Sequence, residues 1–315
     1  MKAIMYHYIR PENPELPYAH YLHIENFIKQ IEYFGNKYGF VGRKEFEDSI
    51  ISCEPAKGVI LTFDDGFKGH YQYVFKELKK YNLWGIFFLS TAPFMNKKLL
   101  DVHRIHILIG KYSGRDTVGA MQGIIDKSML SHEHIKEFNV DTYARQDNDT
   151  NINYVKRLLN YLIDYKHRED VINQLMLLFY PDESKIVSDF YMTKSEINEM
   201  YHSGMVIGSH TVNHPIMSKL SIEDQEREIV SSFDTLESII GENKFKTFCY
   251  PYGGFHTFTA ETEELLEKNA CFCSFNVDPR DISHEDLIGR RQALPRYDCN
   301  EFPYGRNKRM NFRED

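Results

Sequence analysis

Two adjacent carboxylates and two imidazoles four positions apart are the residues in this chain best suited to chemistry: Asp64-Asp65 in Thr62-Phe-Asp-Asp-Gly66, and His210 and His214 in His210-Thr-Val-Asn-His-Pro215. Neighbouring side chains at a strand end point to opposite sides, so the two carboxylates can take different roles. Alone, Asp-Asp-Gly reads equally as a helix start or an exposed loop. The two His residues reach one cation if their segment is helical or tightly turned; otherwise they are ordinary polar-loop residues. Taken together, one carboxylate and two neutral imidazoles form a three-ligand set with an open position. That is the make-up of a catalytic divalent-metal site, most simply zinc, and it leaves the second carboxylate free to act as a base.

The elements that must position these residues follow from hydrophobic period. Short apolar runs, Lys2–Ile9, Gly58–Asp65, Gly85–Ser90, Met205–His210, Phe245–Tyr250 and Cys271–Val277, read as strands. Amphipathic segments lie between them. One carries Ile24, Phe27, Ile28, Ile31, Phe34 and Tyr38 on a single stripe, a second Tyr71, Val74, Phe75, Leu78 and Tyr81, and a third covers Thr259–Asn269. Thr193-Lys-Ser-Glu196 is a capping box with Gly204 as the stop, and Ser221-Ile-Glu-Asp224 opens a helix with Ile222, Ile229, Phe233, Leu236 and Ile240 inward. Strands buried on both faces and alternating with helices imply a parallel α/β sheet or a β/α barrel. In such folds the C-terminal strand ends share one face. Here those ends carry His7, Asp64-Asp65, Ser209-His210 and Tyr250-Pro-Tyr-Gly253.

The rhythm breaks from about residue 97 to 190. Helical patterns over Asp101–Tyr112, Ile152–Lys166 and Arg168–Tyr180, with the polar stretch Asn139–Asn153 between them, read as a helical insertion into one domain spanning 1–315 and covering one end of it. The 315 residues carry a net charge of −8, which argues against a general nucleic-acid binder and leaves small substrates and glycans open. The basic residues Arg306, Lys308, Arg309 and Arg313 read as a solvated tail. Five cysteines without CxxC spacing read as reduced thiols, with Cys271 and Cys273 sharing a strand face in the core. The longest apolar run, Leu175–Tyr180, is far short of a membrane span, and the N-terminus lacks an export segment, so a cytoplasmic location is expected.

Thr62-Phe-Asp-Asp-Gly66, Ser209-His-Thr-Val-Asn-His-Pro215 and Tyr250-Pro-Tyr-Gly253, in that order, resemble the polysaccharide deacetylase family (carbohydrate esterase family four, the chitooligosaccharide deacetylase group). The resemblance covers about 40–95 and 190–300. It implies a deformed (β/α) barrel and metal-dependent removal of an acyl group from an amino sugar. Residue by residue, it implies Asp65, His210 and His214 as metal ligands, Asp64 as general base, and Tyr252 as the donor of a backbone N–H to the oxyanion. A Pro-Tyr-Gly turn that merely closes a loop is the plainer account of Tyr252.

Two departures from the family pattern matter. The late Leu-x-Leu-x-His motif that supplies the acid is replaced by Ala293-Leu-Pro-Arg296-Tyr, and the Arg before the Pro-Tyr-Gly turn is absent from Thr247-Phe-Cys-Tyr-Pro. Circularly permuted members, the exported deacetylases of poly-N-acetylglucosamine, carry a Tyr-His strand near the N-terminus, and Met5-Tyr-His-Tyr8 is similar to it. His7 is therefore the expected general acid, against a buried His bonded to backbone. Arg296 is the candidate to orient Asp64, against a surface or ion-pair Arg. His103 and Arg104 touch substrate if the insertion folds over the site; solvated helix positions explain them more simply. The expected activity is N-deacylation of an amino sugar that is nucleotide-linked, lipid-linked or part of a glycan precursor. A non-sugar amidase on the same barrel and a degenerate glycan-binding protein are the competing readings.

Overall fold

The computed structural model describes residues 1–131 and 149–305. Residues 139–148 of the polar stretch and the basic residues Arg306, Lys308, Arg309 and Arg313 lie outside the described residues. The chain divides into two compact units. The first holds Met1–Pro11, Tyr21–Lys97 and the described residues from Ser188 on; the second holds Glu12–His20 and the described residues of Lys98–Val187.

Strands of the first unit are β1 Lys2–Tyr6, β2 Ile9–Arg10, β3 Leu22–His23, β4 Val59–Asp64, β5 Ile86–Leu89, β6 Val206–Ser209, β7 Thr247–Cys249, β8 Cys273–Phe275 and β9 Tyr297–Asp298. Seven of them form one sheet in the order β8-β7-β6-β5-β4-β1-β9, and every pair in it is parallel. The short pair β2–β3 stands apart, so the first apolar run ends at Tyr6 rather than Ile9. Leu294 bridges to Phe275 at one sheet edge, while Tyr297 and Asp298 pair with β1 at the other. The single stretch Leu294–Asp298 thus joins both edges and closes the deformed barrel.

Alternation along β4 and β5 sorts the side chains. Leu61, Phe63, Phe87 and Leu89 face outward into a cluster with Phe27, Ile31 and Phe34 of the Ile24–Lys37 helix and Ile197 and Met200 of Lys194–His202. Ile60, Ile86 and Phe88 face inward with Ala3, Val206, Cys273 and Phe275, and Phe46 and Ile50 of the Arg43–Ser52 helix join them. Asp64 belongs to the same inward stripe as Ile60 and Thr62, which places a carboxylate at the end of an apolar interior. The Thr193–Glu196 capping box is formed, and Ser221 caps the Ile222–Ile240 helix. Ile222, at the first turn of that helix, is exposed rather than inward. Cys271 lies before β8 and packs with Phe248 and Tyr250, in a different cluster from Cys273, so the two do not share a strand face.

In the second unit a helix over Asp101–Gln122 changes direction at Ser113, whose φ is 69°. The pattern over 152–166 resolves into a helix at Thr150–Arg157 and a π-helical turn at Leu158–Leu162. The chain then breaks, because Asp164 caps a new helix, Tyr165–Phe179. No helix among the described residues is long and apolar enough to cross a membrane.

Candidate active site

Asp64 ends β4, almost fully buried, and its charge is met chiefly by one residue. Arg296 donates from Nη1 to Oδ1 and from Nη2 to Oδ2, both at 2.8 Å, the two-pronged geometry of a strong guanidinium–carboxylate pair. Arg296 is itself fully buried between Phe88 and Phe275 and also donates to Thr62 Oγ1 at 3.0 Å and to the Asn276 carbonyl at 3.2 Å. Burial alone pushes the Asp64 pKa up; the charge and hydrogen bonds of Arg296 outweigh it and hold the carboxyl below its usual range. The Cys249 thiol lies 2.8 Å from Arg296 Nη2 and 3.5 Å from Asp64 Oδ2. Burial pushes this thiol's pKa well up, so it stands beside the pair as a neutral group.

Asp65 turns the other way. Its Oδ1 lies 3.5 Å from His210 Nε2 and 3.5 Å from His214 Nε2. The three ligand atoms fall within 4.8 Å of one another, and all three residues are buried. His210 Nδ1 donates to the Cys249 carbonyl at 2.7 Å, which fixes the tautomer and leaves the Nε2 lone pair facing Asp65. Burial lowers the His210 pKa, favouring the neutral, ligating form. One carboxylate oxygen between two imidazole nitrogens, with the His210 ring fixed from behind, is a donor set that fits a divalent cation.

Left-handed backbone gathers here. Among the described residues ten non-glycine positions have positive φ, and four are Asp65 (79°), Thr211 (69°), His214 (56°) and Tyr252 (63°). Such strain persists only where surroundings enforce it. Glu228, on the Ile222–Ile240 helix, supplies part of that enforcement: it accepts from the backbone N–H groups of Val212 at 2.7 Å and Asn213 at 2.9 Å, and from Asn213 Nδ2 at 2.6 Å. The Pro-Tyr-Gly turn is equally determined. A Cβ on Gly253 (φ +70°) would come within 2.3 Å of Val277, so no other residue fits. That turn sets the Tyr252 ring 5.0 Å from the His214 ring.

His7 follows β1, and its Nε2 is 3.9 Å from Asp64 Oδ2. Its side chain is 42% exposed while that of Asp64 is 2%, so His7 stands at the open side of the carboxylate. His7, Asp64, Asp65, His210, His214, Tyr252 and Arg296 therefore come together from five chain segments. His103 and Arg104 belong to the second unit, and both are buried rather than solvated. Sequence reasoning missed three residues: Cys249, visible only as the occupant of the segment where an Arg is expected; Glu228, one acid among many on an amphipathic helix; and His70, whose buried ring donates to the His7 carbonyl at 2.7 Å.

The family model for polysaccharide deacetylase matches residues 141–270, a span with His210, His214 and the Pro-Tyr-Gly turn but not Asp64-Asp65. Among curated protein sequences none matches the chain. Solved structures similar to this chain include the Streptococcus pyogenes deacetylase PplD in complex with acetate (17% identity, TM-score 0.58, covering 95% of this chain and 91% of that one). A de-N-acetylase from Aggregatibacter actinomycetemcomitans (16%, 0.53, 94% and 93%) and IcaB from Ammonifex degensii (18%, 0.51, 94% and 89%) are also similar. At these identities the likeness establishes the barrel fold, across nearly the whole length of each chain.

Proposed function

We propose that this protein is a divalent-metal-dependent hydrolase that removes an N-acyl group, N-acetyl foremost, from an amino sugar of a glycan or glycan precursor. The observation that carries the reading is the division of labour between adjacent carboxylates. Asp65 lies 3.5 Å from two imidazoles, while Asp64 is held apart by Arg296.

Asp65, His210 and His214 would hold the cation, zinc in the first instance, which when bound supplies Lewis-acid activation of water and of the acyl carbonyl. Asp64, kept ionised by Arg296, takes a proton from the attacking water as its oxygen adds to the acyl carbon. The Tyr252 backbone N–H donates to the oxygen that gains charge. His7 gives a proton to the nitrogen as the C–N bond breaks, and the products are a carboxylate and a free amine. Arg296 positions Asp64, and the buried Cys249 thiol fills the space beside the guanidinium.

A panel of N-acetylglucosamine oligomers, nucleotide-linked N-acetylated sugars and simple N-acetyl amines, assayed for released amine with and without zinc, tests this reading. Zinc-dependent amine release from the sugars is expected. Tight glycan binding without amine release would move the protein to the binding class; release from simple amides alone would make it a non-sugar amidase.

A further inference from the structure

His70 is fully buried at the start of a π-helical turn, His70–Phe75, with its ring against Phe63, Phe67 and Phe87. An apolar side chain would suit that cage better, because burying an imidazole forfeits its hydration. Its Nε2 makes a single short bond, donated to the His7 carbonyl at 2.7 Å, and among the described residues no group reaches its Nδ1. The accepting carbonyl requires the hydrogen on Nε2, and burial, which pushes the pKa down to about 4, with no acceptor among the described residues at Nδ1, keeps the ring neutral. The approach is also fixed from the next residue: a Cβ on Gly69 would come within 2.4 Å of the Ile9 carbonyl, so the turn lies directly on the chain that follows His7. His7 sits where that chain has left β1 (which ends at Tyr6) and has not yet entered β2 (which begins at Ile9). No strand pairing holds its carbonyl there, and His70 does.

We propose that His70 is a positioning residue that clamps the His7 main chain and so aims the His7 imidazole at the leaving nitrogen; this rests on the reading of His7 as the general acid. The role is separable from simple packing because only one step of the reaction needs the acid. An amine leaves only when protonated, whereas a nitrophenolate leaves without a proton.

The experiment measures metal-dependent hydrolysis of an N-acetylglucosamine pentamer and of 4-nitrophenyl acetate by the full chain and by His7→Ala, His70→Leu and His70→Gln. His70→Leu should lower kcat on the pentamer by about ten- to hundredfold, the scale of a slightly misplaced catalytic group, with KM, zinc content and ester hydrolysis unchanged. His70→Gln, whose amide keeps an N–H donor, should recover most of the loss. Equal losses on both substrates, or no loss on the pentamer, overturn the proposal. If His7→Ala keeps full pentamer turnover, the acid reading itself falls and the proposal with it. If His7→Ala loses only pentamer turnover while His70→Leu keeps it, the acid reading stands and the proposal alone falls. Should His70→Leu lose its cooperative melt, His70→Met against His70→Gln, similar shapes without and with the donor, provides the same contrast.

Discussion

Each unit of this molecule buries an arginine against carboxylates, and the two sites use the same bond differently. In the second unit Arg104 donates to Glu183, Asp101 and Asn173, and Arg168 takes the other oxygen of Asp101 at 3.0 Å. Glu183 Oε1 also accepts the Leu99 N–H at 2.9 Å, so each carboxylate oxygen is committed to holding helices and their ends together. In the barrel, Arg296 binds both oxygens of Asp64, yet a thiol and the half-open His7 still stand against Oδ2. The first arrangement is a clip. The second is a clip with one edge left toward the site, which fixes a carboxylate, keeps it ionised and leaves Oδ2 facing His7. A buried ion pair is therefore not by itself a mark of function; what its remaining edge faces decides that.

Substitutions can break or sharpen this contrast. The largest effect is expected from Asp64→Asn: kcat should fall by about a hundred- to ten-thousandfold, the range for losing a general base, measured as amine release at saturating zinc. Asp65→Ala should abolish stoichiometric zinc uptake, read by metal analysis after dialysis, while leaving the Arg296–Asp64 pair intact. Arg104→Met leaves two acids short of their partner and should cost about 3–5 kcal/mol in urea unfolding, with kcat per folded molecule unchanged. If Arg104→Met lowered kcat instead, the two pairs would not be distinct in purpose.

A smaller effect is expected from pH. His70 titrates at about 4 when folded and near 6.5 when exposed, so the unfolded chain binds its proton first as pH falls. Its contribution to stability is complete above pH 6.5, shrinks on the way down to about pH 4 and is gone below that, amounting to about 3 kcal/mol. His70→Gln should flatten the stability curve over that window, as measured by urea titrations at pH 7 and 4.5. The smallest change is expected for Cys249→Ser: a neutral thiol exchanged for a neutral hydroxyl beside Arg296 should alter kcat by less than about tenfold.

The parts of the molecule readable from sequence are those where one local rule dominates. Apolar strands with polar C-terminal ends announced β1, β4, β5 and β6, and the caps at Thr193 and Ser221 stood three residues from the acids that complete or follow them. Strand β9 could not be read that way: Tyr297–Asp298 is two residues long, and pairing, not composition, makes it a strand. The break at Asp164 was masked because apolar spacing continues through it, while a cap depends on one side chain. At the site, ligands were legible because their residue types are restrictive. His70 and Glu228 were not, since each acts on backbone atoms whose direction only the folded chain defines.

The stretch Leu294–Asp298 has a consequence for the order of assembly. A ribosome releases Asp64, Asp65, His210 and His214 before Arg296 emerges, and until that stretch docks, both outer strands lack their last neighbour. Catalytic competence and topological completion thus arrive in the same event: a nascent or partly unzipped chain retains the ligands for a cation but lacks the guanidinium that keeps Asp64 charged.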